Sequence, residues 1–93
     1  MTSAIERDAL HEVNRFRALA CLPRLSRLRK GKRKLAHNCP IARSLPPGGS
    51  AGPMFVNFWL NPGTPARFAA PMAIAKFIYA FDAGKLPHLE LQR

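Results

Sequence analysis

Met54-Phe55-Val56-Asn57-Phe58-Trp59-Leu60 decides the fold. The run is rich in aromatic and β-branched residues and contains no breaker, so it reads as a strand. Side chains alternate across a strand, which puts Phe55 and Trp59 on one face and Val56, Phe58 and Leu60 on the other. Asn61-Pro62-Gly63-Thr64 follows, with Pro-Gly at the two central positions of a type II turn. Residues 66–70 are then expected to return as a second, weaker strand, giving a hairpin over 54–70. The competing reading, a helix capped by Thr64, would be broken by Pro71 after two turns.

Outward from the hairpin, both flanks read as helices. Pro71 opens the C-terminal one: Ile74, Phe77, Ile78 and Phe81 recur at i, i+3, i+4 and i+7, and Gly84 ends it, with Pro87 beyond. This predicts a helix over 71–84. At the other end Ser3 and Glu6 have capping-box spacing, and Ile5, Ala9, Val13, Phe16 and Ala20 form one apolar stripe with Leu19 on its flank. This predicts an amphipathic helix over 4–20, with Glu6 and Asn14 off the stripe and Glu12 able to pair with Arg15. The expectation is one small α+β domain over residues 1–93: an N-terminal helix, a central hairpin and a C-terminal helix.

Residues 22–53 connect the first helix to the hairpin and are basic, then rich in Pro and Gly. Pro23 either kinks a continuing helix or opens a new one, with Leu22, Leu25 and Leu28 as a narrow apolar edge and Gly31 as its stop. A helix-turn-helix over 4–30 follows only if that second helix forms. Lys32-Arg33-Lys34 read as loop. Pro40 opens a short turn of helix to Leu45, and Pro46 to Pro53 is a long loop. The segment is expected to be partly mobile. The tail, His88 to Arg93, reads as a short strand or a frayed end.

The 93 residues suffice for one domain with a thin core. No stretch is long and apolar enough for a membrane span: Ser44 to Ala66, the longest uncharged run, holds five prolines and four glycines. Glu6 and Asp8 precede any apolar run, so no export signal is expected. With only Cys21 and Cys39, reduced thiols in a cytoplasmic setting are expected.

The segments His37-Asn38-Cys39-Pro40-Ile41-Ala42-Arg43-Ser44-Leu45 and Phe77-Ile78-Tyr79-Ala80-Phe81-Asp82-Ala83-Gly84-Lys85-Leu86-Pro87-His88-Leu89 together resemble short uncharacterised proteins encoded by actinobacteria and their phages. Such proteins carry a Cys-Pro-Ile/Val-Ala run and end in Phe-Asp-x-Gly-x-x-Pro. The resemblance implies a cytoplasmic setting. It implies no activity and brings no functional residues with it.

Charge is the strongest functional signal. The formal net charge is +10. Ala, Gly, Arg and Pro make 39 of the residues, a bias that GC-rich coding alone would produce. Position separates function from bias: residues 1–44 hold eleven basic and three acidic side chains, residues 45–93 only four and two. Arg24, Arg27, Arg29, Lys30, Lys32, Arg33 and Lys34 crowd into eleven positions. They are the candidate nucleic-acid contacts, because each neutralised phosphate releases a counterion. An acidic protein partner, an anionic membrane surface, or a solvated loop with no partner would account for the same run. Nothing here has the spacing of a base-reading motif. Bases could stack on Phe55 and Trp59; the plainer expectation is that helices cover both sheet faces or that Trp59 packs on the last helix.

Other chemistries fare worse. Cys21, His37 and Cys39 with His11 or His88 have zinc-binding residue types but no Cys-x-x-Cys knuckle. A Cys21–Cys39 disulfide would close a loop of about 19 residues, against the expected compartment. His37, Asn38 and Cys39 are thiol-protease types, adjacent in sequence where catalysis needs them convergent in space. No catalytic residue, metal or cofactor is expected, and the chain reads as a non-enzymatic binding protein. The alternative is a protein-interaction module that docks a partner on the apolar face of helix 5–20, left exposed by a small core. Asp82 sits in the last turn of a helix, where a negative charge is disfavoured, and calls for a partner: Lys85, Arg43 or Arg67.

Overall fold

The computed structural model describes residues 3–60 and 63–91. In chain order the elements are α1 (Ala4–Leu19), α2 (Pro40–Ser44), β1 (Ser50–Ala51), β2 (Phe55–Leu60), β3 (Thr64–Ala69), α3 (Met72–Asp82) and a 3-10 turn over Pro87–Leu89. The chain is a small α+β domain. Its sheet has the order β1-β2-β3, both pairs antiparallel. The hairpin pairs Phe55 with Ala69, Asn57 with Arg67 and Leu60 with Thr64. The expected type II turn centres on Pro62, which with Asn61 lies outside the described residues. The loop expected over 46–53 contributes a third strand, because Ser50 and Ala51 pair with Asn57 and Val56.

The two helical stripes bury as their spacing requires. Ala9, Val13 and Phe16 of α1 join Ile74, Phe77, Ile78 and Phe81 of α3, Val56 and Phe58 of β2, and Ile41 and Leu45 beside α2 in one core. Phe16 meets both Phe58 and Phe68, with ring centroids 5.5 and 5.4 Å apart. Aromatic pairs at this separation add about 0.5–1.5 kcal/mol to their area term. The α1 stripe is therefore covered by the fold, and the exposed docking face expected over 5–20 does not exist; only Ile5 and Leu19 remain open on it.

Both long helices end in the same way. In α3 the N–H of Lys85 donates to Ala80 O and that of Gly84 to Phe81 O, with Gly84 at φ +78°. This is a Schellman cap with glycine at its left-handed position. In α1 Leu22 N–H donates to Arg17 O and Cys21 N–H to Ala18 O, with Cys21 at φ +59°. The same cap is made without a glycine. Pro23 follows directly, so it completes a helix stop instead of kinking or opening a helix, and no helix-turn-helix forms.

Residues 22–39 carry no helix, yet they are tied down along their length. Asn14, buried on α1, donates from Nδ2 to Leu25 O (3.0 Å) and accepts Leu25 N–H on Oδ1 (2.8 Å). Its amide thus pairs with one residue as a neighbouring strand would. Arg17, 6% exposed, donates to Pro23 O (2.8 Å) and Ser44 O (3.1 Å). Ser44 Oγ accepts Arg29 N–H at 2.9 Å, and Leu28 is buried between these anchors. Gly31, expected as a helix stop, instead forms a parallel bridge with Glu90 in the tail. A Cβ at Gly31 would lie 2.4 Å from Asn38 O, so only glycine allows this crossing.

Glu6 is a further departure. Ser3 Oγ accepts Glu6 N–H at 3.2 Å, half of a capping box. The Glu6 carboxylate is buried and meets His88 Nε2 at 2.6 Å instead of returning to the cap. Glu12 and Arg15 pair at 2.7 Å as their spacing implied.

Asn14→Ala leaves both polar groups of Leu25 without their partner and should cost about 2 kcal/mol in chemical denaturation, with faster amide exchange at Leu25. Cys21→Gly should do the opposite. It relieves a left-handed residue bearing a Cβ and should stabilise the domain by about 1 kcal/mol in the same assay.

Candidate nucleic-acid interface

All seven candidate cations are exposed, but the fold does not keep them together. Arg33 is committed to Glu90, Nε to Oε1 at 3.0 Å. Lys34 takes φ +61°, and its N–H donates to Asp82 Oδ1 at 2.9 Å. That bond resolves the partner of Asp82. The carboxylate at the end of α3 holds a backbone N–H of the basic segment, not Lys85, Arg43 or Arg67. Arg29 turns the other way and donates from Nη1 to Arg43 O at 3.2 Å. Arg24, Arg27, Lys30 and Lys32 make no ion pair among the described residues.

Arg29 enters a cleft of about 720 Å³ walled by Arg17, Arg43, His37, residues 45–49 and Trp59. Two of these side chains carry charge that the run of seven does not include. Arg43 is exposed at the end of α2. Arg17 is buried beside it, and the two bonds it makes go to carbonyls. No acidic side chain lines the cleft among the described residues. Burial, and then the neighbouring Arg29 charge, lower the Arg17 pKa from its ordinary value. Arg17 and Arg29 nonetheless occupy adjacent carbonyls, Ser44 O and Arg43 O, in the last turn of α2, where carbonyls lack helical partners.

Sequence reading overlooks Arg17, although its signal is present: it lies four residues after Val13 and one after Phe16, inside the buried arc of α1. A cation on a core-facing arc needs a polar destination.

The outer face of the sheet is open, contrary to the expectation that helices cover it. Phe55 and Trp59 are 46% and 52% exposed, while Val56 and Phe58 on the inner face are buried. Trp59 does not pack on α3. Gly48 lies against its indole, at φ +79°, where a Cβ would come within 2.9 Å of the ring. Beside Trp59 on the same face, Arg67 donates from Nε to Asn57 Oδ1 (3.0 Å) and lies over Phe55, 5.2 Å from its centroid. Trp59 therefore stands where the open sheet face meets the basic cleft.

The cysteines are separate and free: Cys21 exposed, Cys39 buried. Cys39 Sγ accepts Ala42 N–H at 3.4 Å and caps α2. Among the described residues no group of three His, Cys, Asp or Glu side chains is placed to hold a metal ion. No described helix is long and apolar enough to cross a membrane. No family model, curated protein or solved structure matches the chain.

Burial raises the Cys39 thiol above its ordinary pKa, outweighing the backbone N–H groups that favour the thiolate. The folded state thus resists a deprotonation that the unfolded chain allows. That stability is complete below the ordinary thiol value of about 8.5 and is lost as pH rises past it. A thiol reagent at neutral pH should titrate one cysteine rapidly, Cys21, and the second only in denaturant.

Proposed function

We propose that this chain is a non-enzymatic nucleic-acid-binding protein that engages the phosphate backbone without strong sequence preference. The observation that carries the reading is an exposed basic segment, anchored by its backbone, most of whose cations have no acidic partner among the described residues. Anchoring matters because a pre-ordered array does not lose its backbone entropy when a polyanion arrives. Arg24, Arg27, Lys30, Lys32 and Lys34 supply the free charge. Arg29 extends it into the cleft, and Arg33 adds to the field while paired with Glu90. The contacts available are point charges and guanidinium forks directed at phosphate, which position a strand without reading its bases.

A salt series of binding to duplex DNA tests this. Five phosphate contacts give a slope of log K against log salt of about −4 to −5. Neutralising Arg24, Arg27, Lys30 and Lys32 together to Gln should flatten it to about −1. Absence of binding to DNA or RNA at about 50 mM salt would sink the reading.

A further inference from the structure

The cleft beneath Trp59 holds a feature that backbone binding does not use. Arg17 is nine-tenths buried, lines the cleft, and has no carboxylate partner among the described residues. A buried cation is ordinarily paired. Its Nε and one Nη1 N–H are taken by carbonyls, and a guanidinium has five N–H donors in all. Nη2 makes no hydrogen bond and is not fully buried, so it keeps some contact with solvent. Arg29 and Arg43 line the same cleft, making three guanidinium groups with no acid opposed to them. The half-exposed indole of Trp59 lines the same cleft.

Cations and an aromatic surface in one cleft match a phosphate joined to a base. The cleft, about 720 Å³, is large enough to admit a nucleotide. We propose that the cleft takes one unstacked nucleotide of a single-stranded nucleic acid, its phosphate held by Arg17, Arg29 and Arg43 and its base laid against Trp59. This rests on the nucleic-acid reading above and narrows it. A base inside a duplex is already stacked on both faces, so the cleft can be filled only by a single strand or a frayed end. Stacking tolerates any base, since every base has a π-face.

The chain has a single tryptophan, so its fluorescence reports this site directly. Titration of the full chain with an oligothymidylate should quench Trp59 emission, and a blunt duplex of equal length should not. Trp59→Leu and Arg43→Gln both change exposed side chains. Each should weaken oligothymidylate binding about tenfold and leave duplex affinity within about twofold. Equal affinity for both strand forms with unchanged emission would overturn the cleft and leave the backbone-binding reading standing. A loss of duplex affinity as large as the single-strand loss in both variants would also overturn it. Binding to neither form overturns both readings.

Discussion

The hydrogen bonds from Asn14 and Arg17 to the chain that follows α1 are the constraint on which the rest of the structure depends. Residues 22–39 must cross the domain without a helix or a strand ladder, and their buried backbone groups still need partners. Asn14 supplies both for Leu25, and Arg17 caps Pro23 and the end of α2 at once. Ser44 then binds Arg29, so α1, the irregular segment and α2 are fixed to one another by three polar side chains. Leu28 can be buried in the core only because its neighbours are held in this way. Further along, Asp82 on Lys34 and the Gly31–Glu90 bridge fix the same segment to α3 and the tail.

The described elements leave one sheet face open. α1 and α3 both pack on the inner face, and among the described residues no helix forms a second layer outside. Val56 and Phe58 point inward and are covered, whereas Phe55 and Trp59 point outward and are not. Partial cover comes from the chain itself: Arg67 lies over Phe55, and the Pro46–Gly49 stretch runs past Trp59. Because Trp59 N–H donates to Pro47 O, that stretch is bonded to β2 and forms one wall of the cleft.

Local periodicity made the long elements legible. The stripes of α1 and α3, the alternation of 55–60 and the glycine after α3 each follow from near neighbours along the chain. What stayed hidden depends on distant partners. Nothing near Lys34 announces Asp82, and nothing near Glu6 announces His88, 82 positions away. Pro23 was ambiguous because the cap that precedes it uses Cys21 in a conformation normally given to glycine. Ser50 and Ala51 form a strand too short to show a period. The candidate site was half legible: seven cations stand out by crowding, but crowding in sequence is not convergence in space. The fold sends Arg33 and Lys34 toward α3 and brings Arg29 to Arg17 and Arg43, which no charge count would associate.

That convergence has an energetic consequence. Arg17 is stripped of most of its water, and the neighbouring Arg29 charge further disfavours its charged form. The carbonyls of Arg43 and Ser44 offset part of this, since partial negative charge gathers where a helix leaves its last acceptors unpaired. Dipoles of two peptide groups do not equal a full counter-charge. The domain therefore carries a residual repulsion in the one place where the polar anchors of residues 22–29 meet. An anion seated there would remove that repulsion in the folded state and have no such site in the unfolded one, so binding and folding would reinforce each other. Arg17 secures the irregular segment and also stands in the proposed phosphate site, so one residue would link the two roles.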